Sequence, residues 1–378
     1  MNRKEEKALK RVQSEIQKIE NKENNVFFFI LDTKGNPSGS LEYIYKLAMI
    51  AKNDGYKVSM LYQSVDKNDN FVGVKDWLGD DYANIPHYDI SNGDVEISPS
   101  DILFIPEIFA NVMNQTKKLP CKRIAILQNY DYLVEQMPFA AQWGDFGILD
   151  AITNTEHNAE LLKNIFPYVK TRVVTPYIDK MFGTTIEPKK MVVNVVASNQ
   201  EDINKIIKPF YWKYPSFKWV SFRDLRGFPK ERFAESLREA AITIWVDDKA
   251  SFGYSALEAM KSGSVVIAKV PDEPLKWMNE DDENKVGKLR NCCIWFNDFH
   301  EVQRAIASVV RAWITDKVPS PIMDEAKKVN ELYSFENTQK DFIEYLNGVV
   351  ENRLNEMKQL ITVVENKSNE KTEDHEQS

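Results

Sequence analysis

The run Val26–Asp32, VFFFILD, constrains the fold more than any other stretch of this chain. It is apolar without alternation and rich in β-formers, the pattern of a strand buried on both faces in a helix-covered parallel sheet. The next forty residues keep to that plan. TKGNPSGS reads as a loop, LEYIYKLAMIAKNDG as an amphipathic helix with a glycine stop, and YKVSMLYQ as a second strand, which together make one strand–helix–strand unit. Strand patterns recur at 101–107, 122–128, 147–154 and 171–176, with helices such as HNAELLKNIF between them. The alternation restarts after IEPKK, with strands expected at 191–198, 217–222, 241–248, 264–270 and 292–296. Helices are expected over DINKIIKPFYWKY, ERFAESLREA, SALEAMKSG and FHEVQRAIASVVRAWI.

The expected class is therefore α/β: two doubly wound, Rossmann-like domains facing a central cleft, with helical terminal extensions. Residues 1–25 form an N-terminal helix whose narrow apolar stripe is Leu9, Val12, Ile16 and Ile19. The domains occupy 26–187 and 188–334, a C-terminal helix over 335–364 packs back towards the first domain, and 365–378 is a polar, disordered tail.

Charge and composition remove several function classes. With 57 acidic against 49 basic side chains, the net charge of −8 repels phosphate backbones, so no nucleic-acid partner is expected. No apolar run approaches the ~20 residues of a membrane-spanning helix. MNRKEEKALKRVQSEIQKIENKENN has no secretory core, so the expected compartment is the cytoplasm. The terminal helices leave room for self-association or for contact with a membrane surface. Cys121, Cys292 and Cys293 lack C-x-x-C spacing and read as reduced and structural. His87, His157, His300 and His375 have no partners at ligand spacing, and EDDE at 280–283 follows a helix and reads as a solvated charge run. No metal and no cofactor are expected.

The segment KASFGYSALEAMKSGSVVI, 249–267, carries the chemistry that can be read locally. Gly253 lets another backbone approach closely, and Ser255 can cap the helix that comes next. The first-turn N–H groups, through Tyr254, Ser255 and Ala256, then form an anion site. Glu258, one turn in, can accept hydrogen bonds from vicinal hydroxyls. An ordinary capped helix fits the same letters; its place after a strand of a doubly wound sheet favours a ligand.

These residues resemble the signature of the large retaining family of GT-B glycosyltransferases (glycosyl transferases group 1), which includes sucrose and glycogen synthases. Phe252, Gly253, Leu257, Glu258, Ala259, Met260, Gly263, Val265 and Val266 match its E-G-F-G-x-x-x-L-E-A-M-x-x-G-x-P-V-V pattern. GNPSGSLEYIYKLA, FIPE, IAILQNYDYL, ITNTEHNAELLKNIFP and VVTPYIDKMF occur in the order of the family's N-terminal domain, so the likeness covers roughly 26–345. It implies a GT-B fold, a nucleotide-sugar donor and a glycan, lipid or protein acceptor.

Carried over residue by residue, the resemblance turns Glu258 toward the donor ribose and places Gly39 and Ser40 along the cleft. Two departures fall on the donor side. The motif's first glutamate is Ala250, and the family's Arg and Lys for the donor diphosphate fall in ASNQEDINK, where Asn199 or Gln200 replaces the Arg and Lys205 is the remaining cation. Asp247 and Asp248 end the preceding strand and either reach into the gap left at position 250 or are solvated strand-end residues. Arg226 and Phe228 stand where this fold commonly holds the nucleotide base, although Phe228 fits a core position equally. Gln128 and Asn129 are strand-end candidates for sugar hydroxyls, and Glu107 is a weaker one.

The leading expectation is a retaining, metal-independent glycosyltransferase. The alternative is a degenerate GT-B chain that binds a nucleotide or glycan, or acts as a scaffold, without turnover. A two-carboxylate glycoside hydrolase lacks a placed acid pair, and a dehydrogenase lacks its glycine fingerprint.

Overall fold

Among the described residues every ladder between strands is parallel, as the unalternated apolar runs require. The computed structural model describes residues 3–64, 71–93, 95–183, 188–272, 275–280, 288–315, 317 and 320–376. Most of EDDE lies outside the described residues. The chain divides into two compact units, one of residues 1–75, 79–174 and 339–378, the other of 76–78 and 175–338.

In chain order the first unit begins with α1 (Arg3–Glu20), β1 (Asn25–Phe29), α2 (Gly39–Asn53) and β2 (Lys57–Tyr62). After the one-turn helix α3 (Lys75–Leu78), whose residues 76–78 belong to the second unit, come α4 (Asp80–Ala83), β3 (His87–Asp89), β4 (Ile102–Pro106) and α5 (Ala110–Gln115). β5 (Lys122–Leu127), α6 (Tyr130–Gln136), β6 (Asp150–Thr153), α7 (Glu156–Ile165) and β7 (Lys170–Val173) complete its sheet, in the order β3-β2-β1-β4-β5-β6-β7. The strand β3 has no counterpart among the expected strands; three residues are too few to show a pattern.

The second unit contains β8 (Lys190–Ala197), α8 (Gln200–Lys213), β9 (Ser221–Asp224), α9 (Lys230–Glu239), β10 (Ala240–Val246) and α10 (Tyr254–Lys261). It continues with β11 (Val265–Lys269), β12 (Ile294–Phe296), α11 (Phe299–Ile314) and α12 (Ser320–Glu331), and its sheet order is β12-β11-β10-β8-β9. The strand expected at 217–222 begins instead at Ser221, because Pro215–Phe217 turns as a short 3-10 helix with Phe217 6.2 Å from Phe210, ring to ring.

The helix α13 (Phe335–Glu376) completes unit 1. It is helical through residues where the sequence pattern predicts a disordered tail, for extending a formed helix needs no new nucleus. The parallel register sets Phe28 opposite Phe104, their rings stack at 4.8 Å, and Phe342 of α13 covers the pair at 6.5 and 5.9 Å. Further along, α13 buries the stripe of α1: Ile16 and Ile19 close on Met357, with Val12, Val350 and Leu354 around them. The three cysteines are free thiols and buried.

Phe342 is fully buried. Phe342→Ala is expected to destabilise unit 1 by about 3–5 kcal/mol, seen as an earlier urea transition by circular dichroism.

Candidate functional site

In a doubly wound sheet, a crevice opens at the carboxyl edge where neighbouring strands send their loops to opposite faces. In unit 2 that point lies between β8 and β10, and in unit 1 between β1 and β4. The candidate residues of each unit cluster at these edges.

In unit 2, Gly253 is the N-cap of α10 with φ +77°, a left-handed conformation that side chains disfavour. A Cβ there would also meet Trp277 Cζ2 at 3.1 Å and Leu275 Cδ1 at 3.2 Å. This corrects the expectation for Ser255, which is a residue of the first turn and not the cap. Tyr254 packs edge-on against Phe252 at 4.8 Å, and the Ala256 side chain is buried in the apolar core, so only its backbone faces a ligand's chemistry. Ala250 packs against the same core.

Glu258 is 2% exposed, and its Oε1 lies 2.5 Å from Lys230 Nζ. Lys230 opens α9 and sits 5.0 Å from the ring centre of Phe182. The sequence reading missed this lysine. A signal was there: a cation at the first position of a helix faces the positive end of the helix dipole, so another interaction has to hold it there.

The other donor-side candidates are engaged locally. Asn199 caps α8, its Oδ1 accepting from Asp202 N–H at 2.9 Å while its Nδ2 donates to Asp202 Oδ2. Lys205 pairs with Glu201 at 2.8 Å on the same helix, a contact that raises its pKa. Arg226 grips Asp224 through Nε at 3.0 and 3.1 Å and reaches Gln200 Oε1 with Nη2. That contact brings a cation to the start of α8. Phe228 carries the Arg232 guanidinium 4.4 Å from its ring centre. Asp248 is paired with Lys269 at 2.6 Å, whereas burial, with Asp248 nearby, raises the carboxyl pKa of Asp247.

In unit 1, a cavity of about 470 Å³ opens at the switch point and is lined by Thr33, Ser38, Ser40, Glu107, Gln128 and Tyr132, among others. Gly39 lies outside this lining and is exposed. Ser38 is the N-cap of α2, accepting from Leu41 N–H at 3.4 Å, and Ser40 and Leu41 of that first turn also line the cavity. Asn129 is the N-cap of α6, accepting from Asp131 N–H at 2.9 Å.

Glu107 gains most from the structure. It is 2% exposed, and its Oε1 accepts the backbone N–H groups of Gln128 and Asn129 at 3.2 and 2.9 Å. Its Oε2 is buried with no hydrogen-bond partner. Burial pushes the carboxyl up from 4.5 to about 7 against the lowering effect of its own backbone N–H and of those of Asn129 and Gln128. Among the described residues, no group of three or more His, Cys, Asp or Glu is placed to hold a metal ion, and no helix is long and apolar enough to cross a membrane.

The chain matches no protein-family profile. Over an alignment of 191 positions that covers 47% of the chain, the sequence is 26% identical to an alpha-1,6-glucosyltransferase of Actinobacillus pleuropneumoniae serotype 7 (strain AP76). The match covers 55% of that protein, so the chain spans about half the length of the curated relative it matches. A Staphylococcus aureus TarM variant solved with fondaparinux, alpha-GlcNAc-glycerol and UDP superposes with a TM-score of 0.60 over 85% of this chain and 99% of that one, at 9% identity. Sucrose-phosphate synthase from Thermosynechococcus elongatus superposes with a TM-score of 0.58 over 86% and 99%, at 11% identity. At such identities the likeness is one of fold, and the chain has the GT-B fold.

The raised Glu107 pKa gives a pH test. The folded chain keeps this proton up to about pH 7 while the unfolded chain releases it near 4.5, so the contribution to stability is full below 4.5 and lost as pH rises through 7. Glu107→Gln, which keeps an oxygen for the two N–H groups, is expected to gain on the wild type across that window by up to roughly 1.4 kcal/mol per pH unit. Urea unfolding at a series of pH values measures the difference, and parallel curves would refute the shift.

Proposed function

We propose that the chain is a glycosyltransferase that takes a sugar from a nucleotide-sugar donor held by unit 2 and gives it to a saccharide, lipid or protein acceptor. The reading includes retention of configuration and no obligatory metal. The observation that carries it is the motif F-G-x-x-x-L-E set as strand, glycine turn and helix at the carboxyl edge of β10. The sequence match to an alpha-1,6-glucosyltransferase and the fold shared with UDP-bound TarM support it.

In this reading the donor diphosphate lies at the N-terminus of α10, where first-turn N–H groups stabilise the charge of the departing nucleotide. Arg226, held over Gln200, adds a cation on the neighbouring loop. Glu258 faces the ribose, oriented by Lys230. Asp247, the first residue after β10 and three before Ala250, is the better candidate of the two for contact with the donor sugar, since Asp248 is tied to Lys269.

A second reading rests on one observation: the polar groups near the missing glutamate and arginine are bound to one another, as Lys205 to Glu201, Arg226 to Asp224 and Asp248 to Lys269. A chain wired in this way binds a nucleotide or glycan without turning it over.

Thermal-shift titration with UDP, ADP and GDP, followed by assay of sugar release from the matching nucleotide sugars, separates the two. A ligand at 100 times its Kd raises stability by about 2.7 kcal/mol. Glycosyl transfer is expected together with that shift, and Glu258→Gln is expected to lower it at least tenfold. Removing one partner of a buried ion pair also costs about 3–5 kcal/mol, so Glu258→Gln/Lys230→Met serves as the folding control. A shift without turnover selects the second reading; no shift with any nucleotide rejects both.

A further inference from the structure

We propose that the end of α8 and the turn after it form a docking surface for an anionic lipid bilayer, with Trp212 and Trp219 entering the headgroup layer while Lys208, Lys213, Lys218 and Arg311 pair with lipid phosphates. The inference needs only unit 2 and does not rest on the glycosyltransferase reading.

The tryptophans are the first argument. Of the eight in the chain, Trp212 and Trp219 are exposed, at 76% and 51%, and the others are buried or partly buried. At about 100° per residue, Trp212 lies roughly 180° around α8 from Ile203, on the face opposite the buried Ile203, Ile206 and Phe210. The turn after the helix is held firmly: Tyr211 donates its hydroxyl to Val220 O at 2.7 Å, and Phe217 stacks 6.2 Å from Phe210 with Trp219 edge-on to it at 6.3 Å. A fixed scaffold therefore keeps both indoles outward, with their apolar surface in water. An indole combines an apolar body with one N–H, which suits the interface of a bilayer.

The charge around them reverses that of the chain. Residues 203–223 contain Lys205, Lys208, Lys213, Lys218 and Arg223 and no acidic residue, in a chain with 57 acids against 49 bases. Lys205 and Arg223 are paired with carboxylates, but among the described residues Lys208, Lys213, Lys218 and Arg311 are not. Arg311 comes from α11, and its guanidinium lies 5.4 and 5.6 Å from the ring centres of Tyr214 and Phe217. One turn further along α11, Ile314 is exposed and adds apolar surface. On a molecule of net charge −8, such a patch both attracts an anionic surface and orients its approach, because the remainder is repelled.

Shape selects the occupant. Small ligands lie in concave sites with walls, whereas Trp212 stands on the outer ridge of a helix, and a ridge fits a broad, deformable surface. Both helices follow strands of the parallel sheet, α8 after β8 and α11 after β12, and run back along it, so their C-terminal ends lie at its amino edge. Gly253 and Glu258 belong to the carboxyl edge. The docking surface and the candidate site of unit 2 are therefore at opposite ends of the sheet.

The test is co-sedimentation of the full chain with mixed phosphatidylglycerol and phosphatidylcholine vesicles, set against phosphatidylcholine alone, with indole emission recorded in both. Binding and a blue shift of the emission are expected with the anionic vesicles only. Raising salt from about 0.1 to about 1 M, which shortens the screening length from ~10 to ~3 Å, is expected to weaken that binding at least tenfold. Trp212→Ala/Trp219→Ala is expected to lose the blue shift and to bind tenfold or more weakly, and Lys208→Glu/Lys213→Glu/Lys218→Glu to lose binding altogether; circular dichroism checks that these exposed substitutions leave the fold intact. No binding to anionic vesicles, equal binding to neutral ones, or unchanged binding in both folded variants overturns the proposal, the last by placing membrane contact elsewhere on the chain. Lysine-dependent binding of heparin or polyglutamate by a chain that ignores vesicles also overturns it, and gives the surface to a soluble polyanion.

Discussion

Parallel pairing is the constraint on which the remaining structure depends. Each strand of a parallel sheet must return through a crossover, so all loops that leave strand ends collect at one edge, and all that enter collect at the other. In unit 1 the loops after β1 and β4 therefore meet beside α2 and α6, and Glu107, Gln128 and Ser40 share a cavity although they are distant in sequence. In unit 2 the same rule brings the ends of β8, β9, β10 and β11 together, with Asn199, Arg226, Asp248 and Lys269 on them. The polar residues there are free to pair with one another, and several do.

Much of this is legible in the sequence. Apolar runs such as VFFFIL and AITIWV locate the strands because burial on both faces leaves no room for alternation. Gly253 reads as a close-approach residue, and the structure gives two reasons for it, a left-handed φ and the indole of Trp277. What stays hidden depends on partners remote in sequence. The link from Lys230 to Glu258 joins two helices, and neither spacing nor composition connects them. Asn199 reads as a ligand because its place in a motif is visible, whereas its bonds to Asp202 arise from helix geometry that competes for the same side chain. Glu107 reads as a weak candidate because a strand-end carboxylate is ordinarily solvated; desolvation and an unfilled oxygen are properties of packing alone.

Two of the buried glutamates, Glu258 and Glu107, show how environment divides one chemistry. Glu258 has a cation beside it, so its negative charge is matched inside the protein. Glu107 has backbone dipoles beside it and no cation, and burial outweighs the dipoles, which moves its titration toward neutrality. One carboxyl is paired with a lysine. The other takes up its proton close to neutral pH, because burial penalises its charge.

The pairing of α1 with α13, and of Phe342 with Phe28 and Phe104, also sets an order of assembly. Unit 1 is discontinuous: its sheet is finished at Val173, yet the side chains that cover Phe28 and bury Ile16 belong to residues after 338. During synthesis these emerge only once the whole of unit 2 has left the ribosome. The nascent first unit therefore carries an uncovered aromatic face throughout translation of the second, and the fold that starts first is closed last.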